Sequence, residues 1–386
     1  MAAIPVSHDQ LSYTILEADG QHPDTALEET IFNAPPLDPG QTPAKVRFLR
    51  AALSPSGTAD LHPWTNIPKE LRDEIDGLMI LKPYLTAEDI ELFPKLKVVV
   101  RMGVGYDRLD RVTLAKKGVT VCNVPDYGSE EIADHAIALA LSLRRGILMH
   151  HDMQRRTPEP APYCPVSSPL IARNRGAVFG IFGLGRIGTA TALRAKAFGF
   201  HVLFYDPYLP NGFDKALGVE RTKNVQDLFR RSSILSIHAP ATRETRNFVD
   251  YDLLSLMPRD AVLVNTARGE IVDLDGVERC LKEGILAGAG LDVLPVEPPV
   301  EPVHSLIQAY RRKEDWLEGS TATRGLSYVS HSYADLLLAG LVLTCHTAFF
   351  SPSSLQEIRE KTAITMREVV SVLLILQKLD IVLMLS

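Results

Sequence analysis

The sequence predicts an α/β protein built from two doubly wound parallel-sheet domains. Three observations predict it. Short apolar runs alternate with helix-like segments over residues 13–124 and again over 177–293. One long, mostly apolar helical pattern, 128–150, separates the two blocks. The first strand of the second block runs directly into a Gly-x-Gly-x-x-Gly stretch that opens a helix.

In the first block, YTILEA (13–18), VRFLRAAL (46–53), GLMIL (77–81), KVVVRM (97–102) and VTVCNV (119–124) read as strands. TAEDIELF and LDRVTLAKKG read as helices between them, the second ending on Gly118. Parallel strands need such crossovers. GSEEIADHAIALALSLRRGILMH (128–150) reads as one helix, capped by Ser129 with Glu130 and Glu131 in its first turn. It is apolar around most of its circumference, which implies burial between domains or at a subunit contact. Residues 157–170, rich in Pro and Ser, read as a loop. AVFGIFG (177–183), HVLFYD (201–206), ILSIHA (234–239), AVLVNT (261–266) and LAGAGLDV (286–293) are the strands of the second block.

With 386 residues, 46% of them hydrophobic, the chain can fill two cores. A net charge of −6 gives no electrostatic reason to bind nucleic acid or an anionic membrane. The basic clusters Arg144-Arg145, Arg155-Arg156 and Arg311-Arg312-Lys313 read as solvated faces. Cys122, Cys164, Cys280 and Cys345 lie far apart, so neither a zinc site nor a disulfide framework is expected, and no metal is assigned. A reducing, cytoplasmic setting fits that usage, and the first ten residues lack a signal-peptide pattern. The apolar C-terminal run is interrupted by Gln377, Lys378 and Asp380 and reads as a packed helix, not a membrane span.

The glycine motif comprises Gly183, Leu184, Gly185, Arg186, Ile187 and Gly188. Gly183 allows a tight turn, Gly185 lets a pyrophosphate approach the backbone, and Gly188 lets helix and strand pack closely. Asp206 ends the next strand, 18 residues after Gly188. A carboxylate there accepts the ribose hydroxyls of NAD and repels the extra phosphate of NADP. Strand, glycines, helix and distant acid together make NAD the expected cofactor.

Arg268 follows the buried-looking strand 261–266, where a guanidinium needs an anionic partner. That partner is either a structural carboxylate or the carboxylate of a small substrate, which a planar fork grips bidentately. His346 can pass a proton either way near neutrality, though a lone histidine is often ordinary packing. Glu297 is either its orienting partner or an exposed acid in a proline-rich loop. The other ten histidines read as incidental. The glycines of MGVG (102–105) let main chain approach a small anion, with Val104 and Gly105 as the candidate substrate-binding positions. Tyr84, Tyr106 and Trp316 are either pocket lining or packing.

RMGVGYDRLD, NVPDYGSEEIADHA, GLGRIG, HAPATRETRNFV, NTARGEIVD, GLDVLPVEPP and LTCHTAFFSPSSLQEIREKTA together resemble the D-isomer-specific 2-hydroxyacid dehydrogenases. The branch is similar to the C-terminal-binding-protein corepressors, and the likeness covers most of residues 75–365. It implies a Rossmann NAD-binding domain (127–346) inserted in a flavodoxin-like substrate domain (1–126 and 347–386), and a homodimer. It implies Arg268, Glu297 and His346 as the catalytic set, with Arg268 also binding substrate. It places Ala239, Pro240, Thr266 and Asp292 around the nicotinamide half of NAD, with Thr245 and Ala267 also on the cofactor side. The implied activity is hydride transfer between nicotinamide and C2 of a small 2-hydroxy or 2-keto acid. The alternative is a corepressor-like binding module that senses NAD(H), for which a nuclear location would fit.

Glu297 and His346 stand 49 residues apart, longer than the family pattern. The excess falls in STATRGLSYVSHSYADLLLAG (320–340), read as an unspliced intron or faulty gene model, with a tolerated surface insertion as the alternative. Cys345 stands where the family usually has proline, and the apolar C-terminal run departs from a Gly/Pro-containing tail. Transcript reads joining the codons of Gly319 and Leu341 are the expected result. Uniform read coverage, with the 320–340 peptide seen by mass spectrometry, would establish a true insertion instead.

Overall fold

The computed structural model describes residues 12–22, 24–35, 45–55, 60–155, 163, 165, 168–318 and 340–378. They form two compact units, residues 1–127 with 351–386, and residues 128–350. The sequence places the first junction one residue earlier and the second four residues earlier.

The first unit holds β1 (Ser12–Glu17), β2 (Lys45–Arg50), β3 (Gly77–Ile80), β4 (Val98–Arg101) and β5 (Thr120–Asn123). Their order in the sheet is β2-β1-β3-β4-β5, the flavodoxin-like order. The second unit holds β6 (Val178–Phe182), β7 (His201–Tyr205), β8 (Glu220–Arg221), β9 (Ile234–Ile237), β10 (Ala261–Asn265), β11 (Leu286–Leu291) and β12 (Gly340–Leu343). Its order, β12-β11-β10-β9-β6-β7-β8, is the Rossmann order with one strand added beyond β11. All the strand pairs are parallel. Crossover helices therefore cover both faces, which is why β3, β9, β10 and β11 are buried at every position and are mostly apolar, with Ser236 and Asn265 as the polar exceptions.

The ten strands read from the sequence are all present. β8 carries Glu220 and Arg221, with no apolar run to betray it, and is a strand because it pairs with β7. β12 begins at Gly340, where Gly288 is its register partner. The segment 320–340 thus ends inside a paired strand, and the rest of it lies outside the described residues.

The pattern 128–150 forms two helices, Ser129–Arg144 and Ile147–Arg155. Gly146, at φ 60°, breaks it. Ser129 is not the cap: Gly128 holds that position, and the Ser129 hydroxyl is buried without a hydrogen-bond partner. The first helix packs Ala136, Ile137, Leu139, Ala140 and Leu143 against Phe179, Ile181 and Leu184 of the same unit. Its apolar circumference thus closes the core of its own unit. Arg144 corrects the solvated-face reading: it is buried, its Nη2 donates to the Arg173 carbonyl at 3.3 Å, and burial lowers its pKa.

In the first unit the helix Pro352–Lys378 packs on β3, β4 and the helix Ala26–Asn33. Arg359 forks onto the buried Glu28 at 2.7 and 2.8 Å. Residues 379–386 of the apolar C-terminal run lie outside the described residues. No helix among the described residues is long and apolar enough to cross a membrane.

Two carboxylates at the end of β1 are buried. Asp19 accepts from the Leu81 and Lys82 N–H groups at 2.6 and 2.7 Å, and burial pushes its pKa up to about 6. Glu17, 2% exposed, accepts from Gly20 N–H, and burial beside Asp19 pushes it up to about 7. A raised folded pKa contributes stability that is complete below the unfolded value and lost as pH rises through the folded one. Stability of this unit should therefore fall between pH 5 and pH 8 because Glu17 must ionise in place. Glu17→Gln should raise the melting temperature at pH 8 by about 3 °C or more and leave pH 5 nearly unchanged. Identical melting curves at pH 8 would contradict this.

Candidate active site

Parallel strands put their C-terminal ends at one edge. In the second unit that edge gathers the loops after β6 (Gly183), β7 (Asp206), β9 (Ala239), β10 (Arg268), β11 (Asp292) and β12 (His346). β6 lies between β9 and β7, at the switch point where open α/β sheets bind ligands.

The three glycines meet three different constraints. Gly183 has φ 91°, and a Cβ there would lie 2.7 Å from the Ala239 nitrogen. Gly188 packs so closely on the Gly183 carbonyl that no Cβ fits. Gly185 caps the helix Arg186–Ala197, and a Cβ there would meet nothing within 4 Å. Arg186 and Ile187 open that helix, so their N–H groups share its N-terminal turn. Asp206 accepts from Leu184 N–H at 2.9 Å and Tyr208 N–H at 3.0 Å, which ties the glycine turn to the end of β7. Thr245 Oγ1 donates to the Pro240 carbonyl at 2.6 Å and accepts from Thr242 N–H, holding the loop beside Ala239. Thr266 Oγ1 is buried with no hydrogen-bond partner. An open glycine face, a helix N-terminus, a half-buried acid and an orphaned hydroxyl fit the phosphates and sugars of a dinucleotide.

Asn265, 1% exposed, shapes the turn that carries Arg268. Its Oδ1 accepts from Ala267 N–H at 3.0 Å, and its Nδ2 donates to the Arg268 carbonyl at 2.9 Å. Arg268 Nη1 donates to the Ala267 carbonyl at 2.7 Å. Gly269 packs against the backbone of Leu294 and Pro295 too closely for any Cβ. This brings the Arg268 turn onto the loop that carries Glu297. Sequence reading missed both Asn265 and Gly269; the signal was their place on either side of Thr266-Ala267-Arg268.

Glu297 Oε1 accepts from Leu294 N–H at 2.8 Å, and Oε2 lies 2.6 Å from His346 Nδ1. The 49-residue separation therefore does not keep the two apart. With Nδ1 directed to a carboxylate, Nε2 is the nitrogen that faces away from Glu297. The imidazole is 36% exposed, enough to meet a ligand, and stands edge-on to Phe349. His346 has φ 54°, a left-handed conformation uncommon for a side-chain-bearing residue. Its N–H donates to the Asp292 carbonyl at 2.7 Å.

Asp292, expected beside the nicotinamide, lies at the C-terminal end of β11. Its side chain is fully buried. Its carboxylate accepts from Thr344 Oγ1 at 2.5 Å, Thr347 N–H at 2.9 Å and Ala348 N–H at 3.0 Å. It anchors the segment bearing His346.

Val104 and Gly105 lie in the first unit, in the loop after β4. Gly103 holds φ 139° there, and Asn123 Nδ2 donates to the Val104 carbonyl at 2.7 Å. In that unit Tyr84 stacks with Arg108 and Tyr106 with Arg111. Trp316 is packing: it lies under Lys282 and donates to Glu314. Asp275, Glu278 and His304 bring one possible metal-ligand atom each within 4.8 Å of one another. These groups are already paired: Lys282 and Ser305 hold Glu278, and His304 Nδ1 caps Leu306 N–H. They form a helix-capping network.

Residues 137–311 match the family model described as D-isomer specific 2-hydroxyacid dehydrogenase, NAD binding domain. The chain is 36% identical over 227 residues to C-terminal-binding protein 1 of Caenorhabditis elegans, covering 58% of this chain and 31% of that protein. It is 38% identical over 236 residues to glyoxylate reductase of Korarchaeum cryptofilum (strain OPF8), covering 60% and 70%. The solved D-lactate dehydrogenase of Aquifex aeolicus, complexed with NAD and lactic acid, matches with a TM-score of 0.68 at 25% identity, over 92% of this chain and 95% of that one. The chain belongs to the D-isomer specific 2-hydroxyacid dehydrogenase family, and its second unit is an NAD-binding domain. It spans less than a third of the length of the C-terminal-binding protein.

Gly269→Ala should force the Arg268 turn away from Leu294. Overpacking of this kind costs about 1–3 kcal/mol. The melting temperature should fall by about 3 °C or more. An unchanged melting curve would show that the two loops part without strain.

Proposed function

We propose that this protein is an NAD-dependent oxidoreductase acting between a small 2-hydroxy acid and its 2-keto acid, with D stereochemistry. The reading rests on one observation above the others: a carboxylate–imidazole pair 2.6 Å apart, on loops packed beside an arginine turn at the dinucleotide edge. Few structural needs call for that set, whereas oxidising a hydroxy acid needs each member.

Arg268 grips the substrate carboxylate and polarises the keto oxygen as charge develops on it. His346 takes the hydroxyl proton at Nε2 in oxidation and returns it in reduction. Glu297 holds Nδ1, which fixes the orientation of the ring. Val104 and Gly105, in the loop after β4, are the proposed backbone positions for binding a small anion. Gly183, Leu184, Gly185, Arg186, Ile187 and Gly188 receive the pyrophosphate, Asp206 the ribose, and Ala239, Pro240, Thr245, Thr266 and Ala267 the remaining cofactor surface. Bound NAD supplies the hydride acceptor at the nicotinamide. The same reading gives a cytoplasmic homodimer, to be checked by light scattering and cell fractionation.

A second reading draws on the 36% identity to C-terminal-binding protein 1: an NAD(H)-sensing binding module with little turnover. NADH-dependent capture of a short peptide, with no oxidation of NADH by any 2-keto acid in a panel, would favour it.

For the main reading, purified protein should oxidise NADH with glyoxylate or a larger 2-keto acid. Arg268→Gln should lower kcat/KM by about 100-fold or more, since it removes a charged bidentate contact. His346→Gln should lower kcat by about 100-fold or more while NADH still binds. Wild-type kinetics in Arg268→Gln would overturn the assignment.

A further inference from the structure

We propose that His135 is a positioning residue for His346, acting through Thr344 and the buried Asp292 carboxylate; this deepens the oxidoreductase reading and rests on it. His135 sits on the helix Ser129–Arg144, far in sequence from the catalytic segment. Its Nε2 lies 3.0 Å from Thr344 Oγ1 and 3.7 Å from Asp292 Oδ1.

The directions of these bonds follow from proton counting. A carboxylate only accepts, so the single Thr344 hydroxyl proton goes to Asp292 Oδ1 at 2.5 Å. The Thr344 lone pairs are then what His135 meets, so His135 Nε2 carries a proton and donates it. The chain runs His135 N–H to Thr344 O–H to Asp292. Asp292 in turn receives Thr347 N–H and Ala348 N–H, and its carbonyl receives His346 N–H.

His346 needs this grip. A left-handed φ on a non-glycine residue is strained and persists only where surrounding bonds over-determine it. If His135 donates nothing, the Thr344 hydroxyl can turn away, Asp292 loses a donor, and residues 344–348 can relax. Nε2 of His346 then drifts from the reacting oxygen, and a displacement of about 1 Å can cost about 100-fold in rate. Substrate carboxylate binding by Arg268 and dinucleotide binding are not touched by that drift.

The test compares His135→Leu, which removes the donor, with His135→Gln, which returns an N–H near the same place. It uses the full chain, NADH and a keto acid that the wild type reduces. His135→Leu should lower kcat by about tenfold or more, with KM and NADH Kd within about twofold. His135→Gln should stay within about threefold of wild type. The His346 Nδ1–H proton resonance, assigned by its loss in His346→Gln, should shift or broaden in His135→Leu alone. Wild-type kcat in His135→Leu, an equal fall in His135→Gln, or a fall matched by lost NADH binding would overturn the proposal. If the wild type turns over no keto acid, the oxidoreductase reading fails, and the resonance still decides: unmoved in His135→Leu, it overturns the positioning. Should His135→Leu not fold, Thr344→Val breaks the same chain and is read the same way.

Discussion

The candidate active site depends on one buried carboxylate. Asp292 has no access to solvent, and an ionised group there is tolerable only when donors replace its lost hydration. The donors come from one short segment, Thr344, Thr347 and Ala348. Satisfying the charge and fixing the segment are therefore the same event. His346 lies inside that segment, and its unusual backbone conformation is held from both sides. Remove the carboxylate and neither the buried polar groups nor the imidazole has a reason to stay in place.

The parallel sheet sets the second constraint. It delivers six loops to one edge, where they crowd each other. Glycine is placed where one backbone must touch another: Gly183 on Ala239, Gly188 on Gly183, Gly269 on Leu294. Gly185 differs, because what it leaves is open space. The distinction between glycines that pack and a glycine that admits a ligand is physical, and it matches a phosphate-binding turn. Asn265 extends the logic by satisfying the polar groups of the Arg268 turn from within, so that the guanidinium is presented by a rigid loop.

The first unit shows the same parallel architecture put to a different balance. Glu17 and Asp19 are buried at the end of β1, with backbone donors for Asp19 and little to compensate Glu17. Burial therefore raises both above the ordinary carboxylate range, Glu17 to about 7. The pairing of Arg359 with Glu28 ties the C-terminal helix to this corner, so the end of the chain completes the unit that the start of the chain begins.

The sequence by itself determined the α/β class, the ten strands and the glycine turn with its distant acid, and its family motifs singled out Arg268, Glu297 and His346 as candidates. Those features are written locally, as runs of apolar residues, glycine spacings and motifs whose chemistry belongs to the residue types. It did not determine β8, whose charged residues become a strand only by pairing with β7. Nor did it show the helix break at Gly146 or the burial of Arg144. Only the tertiary structure decided that the Asp292 carboxylate is buried and that Gly269 packs the Arg268 turn on the loop carrying Glu297. It alone brought His135 to Thr344 across 209 residues. Each of these depends on which backbone and side-chain groups meet after folding, and hydrogen-bond donors find partners by proximity in space, which spacing along the chain does not encode.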